Sequence, residues 1–164
     1  MRDASDFDEC YRTTSRRLFS YAYALTGDWA EAQDVVQEAY AKAWRQWSRL
    51  SRYQDVEGWL RLIVHRQTVD SWRRLRRWRR AMPLLTTPER VDGADELTVV
   101  VSQALRELPV AQRRVMALHY LFDLPVAQIA VDTGMPVSTV TTWLARGRAA
   151  MSAALEAKEV HAGE

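Results

Sequence analysis

Apolar residues recur at steps of three and four along most of the chain, which predicts an all-α protein. Over residues 6–26, Phe7, Tyr11, Leu18, Tyr21, Ala22 and Leu25 share a stripe, and Gly27 ends it. Asp28, with Glu31 three residues on, has the spacing of a capping box. A second helix is therefore expected from about Trp29 to Trp47. Its apolar side is Ala32, Val36, Ala39, Tyr40, Ala43 and Trp47, and another side carries Asp34, Gln37, Glu38 and Lys42. Residues 48–57 show no stripe and read as a loop. A third helix is expected from Val56 through Arg80, with Trp59, Leu62, Ile63, Val69 and Trp72 facing inward.

The pattern then breaks. Ala81 to Glu96 holds two Pro, one Gly, two Thr and four acids, the composition of a flexible linker. Periodicity returns at Leu97, with Val101, Ala104, Leu105 and Leu108 on a helix that Pro109 ends, and then an apolar helix over Gln112 to Phe122. The expected organisation is two small helical domains, 1–80 and 97–164, joined by a linker at 81–96. The tail from Ala157 to Glu164 carries no further signal.

Residues 124–155 hold the most informative pattern. Val126 to Thr133 reads as a short helix that starts after Pro125. Gly134-Met135-Pro136 breaks it, and a longer helix starts at Ser138 or nearby, where a hydroxyl can cap. Val140, Leu144, Gly147, Met151 and Leu155 form its apolar stripe. Thr141, Thr142, Ala145, Arg146 and Arg148 lie on the other side. A short helix, a Gly turn and a longer helix with such a face describe a helix-turn-helix, whose second helix fits the major groove. Helix pairs around a Gly turn also occur in proteins that touch no DNA, so the rest of the chain has to decide.

Charge distribution does part of that work. Net charge is only +2, yet eight Arg lie between Arg61 and Arg80 against one acid, Asp70. Arg residues interleaved with Trp72 and Trp78 suit a nucleic-acid groove, where cations follow phosphates and aromatic faces stack on bases. The first forty residues hold eight acids, and Asp34, Gln37 and Glu38 beside Tyr40 and Trp44 form either a solvated face or a dock for a protein partner. One cysteine, Cys10, allows no internal disulfide, and three dispersed His offer no metal-ligand spacing. No Gly-rich phosphate loop, carboxylate pair or nucleophile motif is present, so neither an enzyme nor a cofactor is expected. No apolar run approaches a membrane span and the N-terminus is acidic, so a cytoplasmic protein without membrane insertion is expected.

Taken in order, these features resemble the extracytoplasmic-function sigma factors of the sigma-70 family, bacterial initiation factors of two domains. The stretch AEAQDVVQEAYAKAW is similar to the family's segment for the clamp helices of the RNA polymerase β′ subunit. EGWLRLIVHRQTVDSWRR resembles the helix that opens and reads the −10 element. The run from Ala104 to Met151 follows the family's second domain, with Leu108-Pro109, Ile129-Ala130, Gly134, Thr139-Val140 and Arg146-x-Arg148 as its marks. Two departures concern promoter choice: Arg66 stands where the family usually has Asn, and Thr141 and Trp143 stand where the recognition helix is more often basic.

The resemblance implies roles. Asp34, Gln37, Glu38, Tyr40 and Trp44 would bind core RNA polymerase. Arg52, Tyr53, Trp59, Arg66, Gln67, Asp70, Arg73, Arg74, Arg76 and Arg77 would hold −10 DNA, with the loop from Leu50 to Glu57 as specificity element. Arg113, Ser138, Thr139, Thr141, Thr142, Arg146 and Arg148 would hold the −35 duplex. The implied partners are core polymerase through its β′ and β subunits, promoter DNA and an anti-sigma factor. Three rival readings compete: a helix-turn-helix regulator that binds an operator as a dimer, an adaptor whose basic helix meets an acidic partner, and an enzyme, against which stands the lack of any reactive constellation.

Overall fold

The computed structural model describes residues 2–81, 101 and 103–163, and among these every regular element is helical. The chain divides into two compact units, Met1–Arg90 and Val91–Glu164. The expected linker, apart from Ala81, lies outside the described residues.

The first unit is built from α1 (Arg2–Thr26), α2 (Trp29–Arg45), α3 (Trp47–Leu50) and α4 (Val56–Ala81). Helix α1 begins at Arg2, ahead of Phe7, the first residue of its apolar stripe, with Asp3 in its first turn, where the helix dipole favours an acid. Gly27 takes φ 67°, the left-handed conformation that stops the helix. Asp28 then caps α2, its carboxylate accepting from the Glu31 backbone N–H at 2.9 Å. The capping box is only half formed. The Asp28 N–H goes to the Thr26 hydroxyl, and the Glu31 carboxylate accepts from the Ser71 hydroxyl on α4. Glu31 thereby ties the start of α2 to the middle of α4.

Two expectations change here. Residues 48–57 are not all loop, because one turn of helix, α3, buries Trp47 and Leu50. Two apolar residues three apart are too few to register as a stripe. Helix α4 is also rotated relative to the expected face. Leu60, Val64 and Thr68 point inward, whereas Leu62 is 37% exposed and Trp59, Ile63, Val69 and Trp72 are half-buried. A polar residue can occupy this inward stripe because the Thr68 hydroxyl donates to the Val64 carbonyl at 2.9 Å, which satisfies it away from water. The core these faces close over is Leu18, Tyr21, Ala22 and Leu25 from α1 with Ala32, Val36, Ala39 and Ala43 from α2.

In the second unit residues 103–106 are helical and Ala104 and Leu108 are buried. Then come α5 (Val110–Phe122), α6 (Val126–Thr133) and α7 (Val137–Ala162). Asp123 closes α5 at φ 52°, and His119 Nδ1 meets the Leu124 carbonyl at 3.0 Å across the turn. Gly134 takes φ 71° between α6 and α7, as the helix-turn-helix needs. Ser138 does not cap α7. Pro136 occupies the cap position and Val137 is already helical. The core is Val115, Met116 and Leu118 from α5, Ile129 from α6, and Val140 and Leu144 from α7. At Gly147 the helices come so close that an added Cβ would sit 2.3 Å from Met116 Sδ. Beyond this point the stripe emerges: Met151 is half-buried and Leu155 is 37% exposed. The tail is not featureless, since α7 continues through Ala162.

Candidate functional site

Three solvent-facing surfaces gather nearly all the chemistry singled out in the sequence. The first is the outer ridge of α2. Asp34, Gln37, Glu38, Trp44 and Arg45 are all exposed and follow helical spacing along one side. Glu38 pairs with Arg45 at 3.3 Å, but both side chains are exposed, so the pair adds little stability. Trp44 is 51% exposed, a large apolar surface in contact with water. Its ring is steadied edge-on by Phe7 of α1, with centroids 5.0 Å apart, and Phe7 in turn meets Trp47 at 5.2 Å.

Tyr40 does not belong to this ridge. Six residues from Asp34, it is turned about 120° round α2, toward α1, and is only 5% exposed. Its hydroxyl lies 2.6 Å from Thr14 Oγ1, and its ring meets Tyr11 edge-on at 4.7 Å. Burial pushes its pKa well above the ordinary tyrosine range, although the Thr14 hydrogen bond opposes that shift. It joins α1 to α2 from within the first unit.

The second surface is α4 with the loop before it. Arg52 and Tyr53 are exposed on that loop. Asp55 anchors it: Oδ1 accepts from the Gly58 backbone N–H at 2.7 Å and Oδ2 faces Arg61 Nη2 at 3.4 Å. Arg61 is the exception among the helix's arginines, only 7% exposed. Trp59, Arg66, Asp70, Arg73 and Arg77 fall along one line at steps of seven, four, three and four. The four charged members are exposed, Trp59 and Gln67 are half-buried, and Arg74 and Arg76 are exposed on the flanks. Trp78 adds an aromatic face, 44% exposed.

The third surface is the outer face of α7. Ser138, Thr141, Thr142, Ala145, Arg146 and Arg148 are exposed, and Thr139 is half-buried. The Thr141 hydroxyl donates to the Val137 carbonyl at 3.0 Å, and that of Thr142 to the Ser138 carbonyl at 2.9 Å. Arg148 Nη1 reaches the Tyr120 hydroxyl at 3.4 Å, so this cation sits where α7 passes α5. Val137, 53% exposed, joins the face unforeseen, although its place four residues before Thr141 signalled it. Arg113 is not on this surface. It is 8% exposed, and burial, with Arg106 adding to it, pulls its pKa below the usual arginine value. Arginine's long stem makes such burial compatible with a cationic residue type, which sequence spacing cannot reveal.

Among the described residues no group of His, Cys, Asp or Glu is placed to hold a metal ion, and no helix is long and apolar enough to cross a membrane. Cys10 is half-buried, and burial raises its thiol pKa above the ordinary value.

Comparison with known proteins finds matches in both units. Residues 10–79 match the family model for sigma-70 region 2, and residues 99–151 match that for sigma-70 region 4. The ECF RNA polymerase sigma factor SigL of Mycobacterium tuberculosis is 32% identical over 136 residues, 77% of this chain and 76% of the relative. The RNA polymerase sigma-E factor of Streptomyces coelicolor is 26% identical over 166 residues, 99% of this chain and 93% of the relative. Among solved structures, the sigma factor RpoE in complex with the anti-sigma factor NepR from Bartonella quintana has a like fold. Its TM-score is 0.78 at 20% identity, covering 92% of this chain and 97% of that one. With α1 to α4 spanning region 2 and α5 to α7 lying mostly within region 4, the chain belongs to the extracytoplasmic-function sigma factors of the sigma-70 family, the promoter-recognising subunits of RNA polymerase.

Proposed function

We propose that this sigma factor uses the three surfaces in a fixed division of labour. The ridge Asp34, Gln37, Glu38 and Trp44 docks on the clamp helices of the polymerase β′ subunit, with the β subunit completing the site. Asp34 and Glu38 supply charge and hydrogen-bond acceptors, and Trp44 supplies the buried aromatic anchor that protein interfaces favour. Tyr40 serves this dock indirectly by holding α1 against α2. The observation that carries the reading is the exposure of Trp44, an indole half in water beside three polar neighbours on a helix whose other side is fully buried.

The face of α4 takes the −10 element as single strand. Arg66, Arg73, Arg74, Arg76 and Arg77 follow phosphates, Asp70 and Gln67 meet base edges, and Trp59 and Tyr53 offer stacking faces. Taking a base out of the stack costs a few kcal/mol. Stacking on a protein aromatic returns about 1–3 kcal/mol per base. The two nearly cancel, so melting needs the polymerase's own contacts, and the isolated protein binds promoter duplex weakly. The second unit reads the −35 element as duplex. Thr141, Thr142 and Arg146 lie nearest the base edges, while Ser138, Thr139 and Arg148 hold phosphates and set register.

On this reading the chain carries no chemistry of its own and needs no cofactor. It acts in the cytoplasm, where polymerase and chromosome are. The neighbours in fold include the sigma factor RpoE in complex with the anti-sigma factor NepR and CnrH in complex with the cytosolic domain of CnrY, and an anti-sigma factor is proposed here too. Run-off transcription by core polymerase on a promoter selected from genomic fragments tests the function. Transcripts that depend on this protein support it. A symmetric footprint by the protein alone, with no effect on core polymerase, would transfer the helix-turn-helix to an operator-binding regulator.

A further inference from the structure

The first two turns of α7 lack the side chains that usually read bases. From Val137 to Ala145 there is no Arg, Lys, Asn, Gln, Asp or Glu. A bidentate fork to guanine or a bidentate amide to adenine is therefore unavailable where a recognition helix meets base edges. What this face exposes is Val137, Ser138, Thr141, Thr142 and Ala145, of which Ser138 is the one assigned above to a phosphate. The hydroxyls of Thr141 and Thr142 spend their protons on the Val137 and Ser138 carbonyls. Toward a ligand each threonine then presents lone pairs and a methyl group, an acceptor and an apolar contact but no donor.

Only some base edges complement such a face. Guanine offers acceptors at N7 and O6 in the major groove and would meet acceptor with acceptor. An A·T pair offers the adenine N6 amino donor and the thymine 5-methyl group. Cytosine shares the amino donor at N4 but has no methyl group, so the apolar half of the face separates thymine-bearing pairs from G·C.

We infer that the N-terminal turns of α7 select A·T pairs in the −35 element through the thymine 5-methyl groups and the adenine amino groups, with Thr141 as the determining residue. This rests on the assignment of α7 to duplex −35 DNA. Arg148, beside Tyr120, contributes phosphate contacts that favour no sequence, and Arg146, a turn further on, meets base edges beyond those that Thr141 and Thr142 face.

The test uses the full-length protein reconstituted with bacterial core polymerase. The probe is a promoter-length duplex pool randomised over ten base pairs upstream of a fixed −10 segment, synthesised once with thymine and once with deoxyuridine. The thymine pool is expected to enrich A·T pairs at two or more adjacent positions. Loss of one buried methyl group corresponds to roughly a fourfold drop in affinity, so single deoxyuridine replacements in an enriched duplex should each weaken binding by about that factor. Thr141→Ser keeps the hydroxyl and deletes the methyl, and should make thymine and deoxyuridine equivalent at one position. Thr141→Val keeps a methyl and deletes the acceptor, and should relax the A·T preference there while retaining sensitivity to deoxyuridine. Enrichment of G·C at the positions that Thr141 substitutions affect, or equal binding of thymine and deoxyuridine duplexes, would overturn the inference. Co-elution of the protein with core polymerase, read in the same reconstitution, reports separately on the sigma assignment.

Discussion

The hydroxyls of Tyr40 and Thr14 lie 2.6 Å apart inside the first unit, and Thr14 Oγ1 also donates to the Cys10 carbonyl at 2.6 Å. Thr14 therefore spends its proton on the backbone and accepts from Tyr40, which fixes the direction of the chain. Tyr40→Phe removes the donor and leaves Thr14 with its backbone bond, so it should cost about 0.5–1.5 kcal/mol. Denaturant unfolding of the variant measures it, and α2's outer ridge should still dock.

Burial of the same Tyr40 hydroxyl sets a pH dependence. Burial raises the folded-state pKa of Tyr40 above its unfolded value near 10, so its contribution is fully present below about pH 10. It is lost as pH rises toward the folded value, because the unfolded phenol releases its proton first. The Cys10 thiol, also raised by burial, acts in the same direction from about pH 9. Wild-type stability should thus fall more steeply between about pH 9.5 and pH 11 than that of Tyr40→Phe. Parallel curves would show that Tyr40 titrates as though exposed.

In the second unit Gly147 is buried against Met116, with no room for a methyl group. Gly147→Ala would gain helix propensity of about 1 kcal/mol against an overpacking cost of about 1–3 kcal/mol. A net loss is expected, read as a lower Tm. Met116→Ala alone opens a cavity at a cost of about 2–5 kcal/mol. Combined, the two should be clearly less destabilising than their sum, because the new methyl enters the space Met116 vacates.

The exposed arginines of α4 predict a salt effect rather than a sequence effect. Removing one phosphate-binding cation should reduce the slope of log affinity against log salt by about 0.7 on single-stranded DNA. Arg73→Ala and Arg77→Ala should each do so for holoenzyme binding to a pre-melted −10 template, and should weaken different sequences about equally. A changed base preference with an unchanged slope would assign these residues to base readout.

Local backbone chemistry was legible from the sequence because it depends on near neighbours. The cap at Asp28 and the breaks at Gly27 and Gly134 appear as expected. The outward placement of Asp34, Gln37, Glu38 and Trp44 was legible too, since one helical period sets it. Depth was harder to read. Tyr40 and Arg113 belong to residue types compatible with either core or surface, and only packing against α1, or burial beside Arg106, decides. The rotation of α4 is hidden from the pattern because its inward stripe includes Thr68, whose hydroxyl is satisfied by its own helix. The turn α3 and the last residues of α7 are too short or too polar to show a period.

The central claim is that α2 presents a polymerase dock, and titration of the purified protein against core RNA polymerase tests it most directly. The control is the double substitution Asp34→Arg/Gln37→Ala, both on exposed positions that leave the fold intact. Saturable binding by the wild type, abolished in the double variant while its helical circular dichroism and Tm stay unchanged, is the predicted result. Undiminished binding by the variant, or no binding by the wild type at moderate salt, would contradict it.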